Sequence, residues 1–205
     1  NQVIFDNVFA RELFEQKFKR SYTYIPFGSD VPEFEEDDSL FDRLGIRRKE
    51  YFLFVGRFIP DKGLHYLIPA FEKLQTTKKL VLVGGSPNPS DYERTLLKTQ
   101  DERIVFPGYV YGEDSLRLMK NAYCYIQPSD VEGLSPVLLN VMFLRTPIIC
   151  SDIKENLFAV ENTAVLFEKG NPESLRNAME LSLDKNSQMA ELAMKAQQRV
   201  LSLFT

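Results

Sequence analysis

The sequence predicts an α/β protein, a doubly wound and mainly parallel sheet with helices on both faces. Three observations predict it. From Lys49 onward, short apolar runs alternate with amphipathic stretches of helical period. The first runs, Tyr-Phe-Leu-Phe-Val at 51–55 and Leu-Val-Leu-Val at 80–83, are apolar without a break. Such runs are buried on both faces, which is the mark of a parallel strand covered by helices. Finally, every candidate site segment begins just after a predicted strand, where open α/β sheets bind their ligands.

The elements follow in order. Asp6 is placed to cap a helix over 7–19, with Phe9, Leu13, Phe14 and Phe18 at helical spacing. Residues 22–25 read as a short strand ended by Pro26. The stretch 28–38, with Glu33, Glu35, Glu36, Asp37 and Asp38, reads as a solvated acidic loop. A short helix at 39–44 stops at Gly45. Strands are expected at 51–55, 79–83, 103–106, 123–127, 147–150 and 164–167. Helices are expected at 63–75, 90–99, 113–120, 136–145 and 173–184. A last helix over 187–203 carries Met189, Leu192, Ala193, Ala196 and Val200 on one stripe.

Composition narrows the function. The chain has 205 residues, 44% of them apolar, enough to bury a large core. Its net charge is −4 and its cations are dispersed, which argues against nucleic acid and against anionic lipid as partners. No apolar run approaches the ~18 residues of a membrane span, and no signal peptide is expected. Cys124 and Cys150 lie inside predicted strands and read as buried free thiols of a reducing compartment, so the expected location is cytoplasmic. The single His65 leaves no Ser-His-Asp triad. With no Asp-x-Asp and no Cys/His cluster, neither a dedicated metal site nor a cofactor is expected.

Four segments carry chemistry. In Phe54-Val-Gly-Arg-Phe-Ile-Pro-Asp-Lys-Gly63, a strand ends at Gly56, two cations follow, Arg57 and Lys62, and Gly63 opens a helix. Strand end, cationic loop and helix start together suit a doubly charged anion such as a diphosphate. Val83-Gly84-Gly85-Ser86 allows close approach of a ligand to the backbone at Gly85, although a plain turn explains it equally well. Phe106-Pro-Gly-Tyr-Val110 can present backbone to a base at Val110, with Tyr109 or Tyr111 stacking on it. In Gln127-Pro-Ser-Asp-Val-Glu-Gly-Leu-Ser-Pro136, Ser135 is a good N-cap and Pro136 a good first helical residue. The free N–H groups of Gly133, Leu134 and Ser135 would face a bound anion, and Glu132 could accept hydrogen bonds from sugar hydroxyls. A site for both phosphate and hydroxyls suggests a sugar nucleotide. Neither G-x-G-x-x-G nor G-x-x-x-x-G-K-[ST] occurs, which counts against dinucleotide oxidoreductases and P-loop nucleotidases.

These motifs, in this order, resemble the C-terminal, donor-binding half of a GT-B fold glycosyltransferase of the retaining family 4, or "group 1". Ile25-Pro-Phe-Gly-Ser-Asp30 resembles the family's I-P-N-G-V-D segment, Gly56-Arg57 with Lys62-Gly63 its G-R-x-x-x-x-K-G loop, and Phe106-Pro-Gly108 its F-x-G turn. Pro128 to Met142 resembles its P-S-x-x-E-G-x-x-x-x-x-x-E-A-M signature. The resemblance implies that Arg57 and Lys62 contact the donor diphosphate. It makes Glu132 the first acid of an E-x7-E pair beside the donor sugar, and sets backbone near Val110 against the base. It also implies transfer from an NDP-sugar, UDP- or GDP-linked, with retention and without a bound metal. The glycan, lipid-linked or small-molecule acceptor would be met by an N-terminal domain, of which residues 1–22 are the last helix or tether, with 23–205 the donor domain. The fragment is then expected to be inactive alone, with any contact to the inner face of the membrane made through that other domain.

The sequence departs from the family pattern at specific places. Asn140 stands where the second acid would hold the ribose, Arg145 where Gly is usual, and Ser151-Asp152 is not followed by Gly-Gly. The alternative reading is therefore a non-catalytic module that binds a nucleotide-sugar or a partner. A GT-B epimerase or phosphorylase-like enzyme is a more remote reading, because one His in this half supplies little acid-base chemistry.

Overall fold

The computed structural model describes residues 2–85 and 88–204. Ser86, from the paired-glycine turn, lies outside the described residues. Six parallel strands form the main sheet: β3 (Tyr51–Arg57), β4 (Lys79–Gly85), β5 (Ile104–Gly108), β6 (Cys124–Gln127), β7 (Ile148–Ser151) and β8 (Val165–Phe167). Their spatial order is β5-β4-β3-β6-β7-β8. The chain therefore winds outward from β3 in one direction, then from β6 in the other, and the strand order reverses between these two. Pairing of β3 with β6 is confined to Phe52↔Cys124 and Leu53↔Tyr125. Beyond that point the two strands part at their carboxyl ends, opening the crevice that such a reversal creates.

Alternation along β3 explains the core. Tyr51 and Leu53 face one apolar cluster, together with α2 (Ser39–Leu44), α5 (Gly112–Asn121), α6 (Pro136–Phe143) and α9 (Asn186–Leu203). Phe52 and Phe54 face the other, against α3 (Leu64–Glu72) and α8 (Pro172–Asp184). Both faces of the sheet are dry, so the uninterrupted apolar runs are what the fold requires. Cys124 and Cys150 are buried free thiols inside this core, as expected.

Several boundaries differ from the sequence reading. β3 and β4 run on through the glycines to Arg57 and Gly85. A 3₁₀ turn, Pro60–Lys62, precedes α3, which ends at Glu72 rather than 75. α4 (Asp91–Leu96) and α6 are each shorter than expected. The sequence pattern does not predict helix α7 (Lys154–Val160). It is short, its N-cap Ile153 makes no side-chain cap bond, and it carries little apolar periodicity to announce it. At the N-terminus, α1 (Val8–Phe18) forms as expected, capped by Asn7 Oδ1 rather than Asp6. It is flanked by a two-stranded parallel ribbon of β1 (Ile4–Phe5) and β2 (Thr23–Tyr24). Two residues per strand leave no readable period, so β1 was missed.

Candidate functional site

Two adjoining cavities open at the carboxyl ends of β3 and β6. The larger, about 600 Å³, is lined among others by Val55, Arg57, Gly84, Tyr109, Val110 and Asn140. The smaller, about 350 Å³, includes Arg57, Lys62, Glu132, Gly133, Leu134 and Ser135. Val55, Gly56, Arg57 and Val137 belong to both, so Arg57 stands at the junction. It is exposed, and its side chain makes no hydrogen bond or ion pair among the described residues.

Two loops build the smaller cavity and are tied to each other by backbone. Asp130 N–H donates to the Asp61 carbonyl at 2.8 Å. Gly63 permits this approach: its φ is 69°, and a Cβ there would lie 1.9 Å from the Pro128 carbonyl oxygen. Lys62, at the end of the 3₁₀ turn, donates through Nζ to Glu132 Oε1 at 2.5 Å. Ser129 Oγ donates to the same oxygen at 2.6 Å. The side chain of Glu132 is only 8% exposed, so the carboxylate depends on these two donors. Ser135 caps α6 by accepting from Leu138 N–H at 3.3 Å, with Pro136 at the first position, as the sequence indicated. The helix N-terminus, with its unpaired N–H groups and positive dipole end, therefore faces the cavity that holds both cations.

Behind this loop lies a buried polar network. Ser151 Oγ donates to the Ser129 carbonyl at 2.5 Å, Asn156 Nδ2 donates to Ser151 O and Oγ, and Gln127 Nε2 donates to Asn156 Oδ1 at 2.7 Å. It fixes the peptide that presents Ser129, and through it Glu132. On the other side Tyr66 donates to Asp130 Oδ2 at 3.1 Å. None of Ser129, Gln127, Tyr66 and Asn156 was singled out from sequence. Ser129 stood inside the quoted motif and could have been; Asn156 lies on α7, which the pattern did not show.

The larger cavity is mainly apolar. Gly84, with φ 131°, lets β4 close on β3, since a Cβ there would lie 1.8 Å from the Gly56 carbonyl oxygen. Tyr109 and Tyr111 stack with centroids 5.7 Å apart and planes 5° apart, forming an exposed aromatic platform. Gly85 lines neither cavity; it faces the Glu93 carboxyl and the Tyr109 ring. Asn140, one turn along α6 from Val137, accepts at Oδ1 from Ser29 Oγ at 2.9 Å. Ser29 is buried, and its N–H donates to the Phe204 carbonyl. His65 is an exposed residue beside Tyr92, to which its Nδ1 is bonded at 3.0 Å, and does not line either cavity.

Comparison with known proteins agrees with this architecture. The glycosyltransferase MJ1607 of Methanocaldococcus jannaschii, itself uncharacterized, is 33% identical over 145 residues, covering 68% of this chain and 37% of that protein. Sucrose-phosphate synthase from Thermosynechococcus elongatus is 26% identical with a TM-score of 0.83, covering 99% of this chain and 54% of that one. Anabaena HepE, solved in complex with UDP and glucose, superimposes with a TM-score of 0.88 at 22% identity, over 99% of this chain and 59% of that one. The chain spans between a third and just over half of the curated relatives it matches. Residues 36–199 match the family described as glycosyl transferases group 1, and the chain belongs to that family.

Proposed function

We propose that this chain is the donor-binding half of a glycosyltransferase that transfers a sugar from an NDP-sugar to an acceptor with retention. The observation that carries the proposal is the meeting of Arg57, Lys62, Glu132 and the α6 N-terminus around one cavity, beside a nucleoside-sized apolar cleft. The diphosphate spans the junction at Arg57, the sugar lies by Glu132, and the base lies by Val110 and the tyrosine platform. As the bond from the sugar's anomeric carbon to the diphosphate breaks, negative charge grows on the leaving oxygen. Arg57, Lys62 and the helix dipole neutralise it where a divalent ion would otherwise be used, so transfer is metal-independent. Lys62 is held by Glu132, which fixes the ammonium beside the place of the diphosphate. The acceptor hydroxyl forms the new bond and loses its proton. Its contacts and any base come from a further domain, so these residues do not turn over alone. UDP or GDP is the expected carrier, and HepE, bound to UDP and glucose, lends support to the first.

The test is kinetic. In the intact protein, Arg57→Ala and Lys62→Ala each lower kcat/KM by ~10²–10³, the scale of losing one transition-state charge stabiliser. Chelation by EDTA leaves the rate unchanged. Wild-type turnover in both variants refutes the assignment. The second reading, a module that binds without turnover, is favoured by the neutral Asn140 held by Ser29. It is supported instead if nucleotide binds and no acceptor is ever glycosylated.

A further inference from the structure

The hydrogen bond from Ser29 to Asn140 bears on which nucleosides the cleft selects. This inference rests on the nucleotide-sugar reading above. With the diphosphate at Arg57 and the base at Val110, the ribose falls alongside Val137 and Asn140. Val137 is shared by both cavities, and Asn140 is one helical turn further into the larger one. Asn140 is therefore the α6 side chain that offers hydrogen bonds to the sugar hydroxyls.

The amide's orientation decides what it offers. Ser29 is 1% exposed, and among the described residues its hydroxyl proton has one acceptor, Asn140 Oδ1. Turning the amide over would exchange this bond for one from Nδ2 to the Ser29 hydroxyl oxygen and leave the buried hydroxyl proton without an acceptor, which disfavours the flip. Oδ1 is thus committed, and Nδ2, which makes no hydrogen bond among the described residues, is the atom turned toward ligand. A neutral N–H donor can meet a ribose oxygen as acceptor, but it cannot accept the 2′- and 3′-hydroxyl protons as a carboxylate does. Of the residues lining the larger cleft, Glu113 is the only carboxylate, and it is engaged by Arg117 Nη2 at 2.6 Å.

We infer that the site does not demand a 2′-hydroxyl, and that it accepts 2′-deoxynucleoside diphosphates and their sugars nearly as well as ribonucleoside ones. Ser29 is the positioning residue that sets this, by holding Asn140 in its donor orientation. A lost neutral hydrogen bond changes affinity by less than about tenfold, whereas a lost charge-assisted one changes it by roughly ten- to a hundredfold.

The experiment is calorimetric titration of the intact protein with matched pairs: UDP and dUDP, GDP and dGDP, ADP and dADP. For whichever base binds, the ratio of deoxy to ribo Kd is expected to be under about tenfold. Asn140→Glu is expected to raise that ratio at least about tenfold, because one oxygen can accept from Ser29 while the other takes the 2′-hydroxyl. Ser29→Ala, which leaves the charge unchanged and frees Oδ1 to rotate, is expected to raise it in the same direction. A purely structural role for Ser29 would weaken both ligands equally and leave the ratio fixed. A wild-type ratio of tenfold or more, or a ratio unmoved by both variants, overturns the inference while leaving the nucleotide reading intact. Absence of binding by all six nucleotides and by TDP refutes the nucleotide reading, and the inference with it.

Discussion

Removing Lys62 should show how much the Lys62–Glu132 pair contributes to the stability of the fold. In the wild type the Glu132 side chain is 8% exposed and has two donors, Lys62 at 2.5 Å and Ser129 at 2.6 Å. Lys62→Met removes the charged donor and leaves a nearly buried carboxylate with a single hydroxyl. Breaking a buried ion pair from one side costs about 3–5 kcal/mol. Lys62 is itself 20% exposed, so water recovers part of this, and about 2–3 kcal/mol is expected. For a chain of this size that is a fall in Tm of roughly 5–10 °C. Glu132→Gln should cost less, about 1 kcal/mol, because the amide still accepts from Ser129 and the ammonium can turn to solvent. The double variant then falls short of the sum by about 1–2 kcal/mol. Urea unfolding of the four proteins at neutral pH gives the cycle directly. A coupling below about 0.5 kcal/mol would show that the pair is an ordinary solvated contact, and would remove the argument that Glu132 pre-positions Lys62.

Three further outcomes follow from other parts of the fold. Gly84→Ala places a methyl 1.8 Å from the Gly56 carbonyl at φ 131°, so urea unfolding should show a loss of at least about 2 kcal/mol; a neutral change would mean that β3 and β4 are not closed as described. Hydrogen bonds from Lys120 and Arg48 hold the Glu36 carboxyl down to about 2, from an ordinary value of 4.5. Its contribution is then complete above about pH 4.5 and lost as pH falls toward 2; as the pairs are half-exposed it is about 0.5–1 kcal/mol, and Glu36→Gln should flatten that part of the stability-pH curve. Burial pushes the Cys150 thiol up to about 12 and raises that of Cys124 further, so both should resist a thiol reagent in the native protein and react on unfolding; rapid native modification would contradict their placement in the core.

Much of the architecture was legible because long, fully buried strands leave a strong mark. Tyr51 to Val55 could be assigned from apolarity alone, and the Ser135-Pro136 helix start from capping chemistry. Arg57, Lys62 and Glu132 stand out in the sequence because strand ends and helix starts announce themselves locally, and the fold brings the three to one cavity. What escaped depends on contacts distant in sequence. The Ser29–Asn140 bond joins residues 111 positions apart, and the Gln127–Asn156–Ser151–Ser129 network is formed only when β6 and β7 pair. Gly84, rather than Gly85, reaches the cleft because the register pairs it with Gly56. A sequence shows the glycine pair but not which member faces the neighbour.

The central claim is that Arg57 stands where an NDP-sugar's diphosphate binds. It is tested most directly by calorimetric titration of the wild type and Arg57→Ala with UDP, GDP, ADP and TDP, each with and without its sugar. The account predicts micromolar binding of at least one of them to the wild type, weakened by roughly ten- to a hundredfold in Arg57→Ala, the scale of one charge-assisted contact. Equal affinity in the two proteins, or none in the wild type, would contradict it.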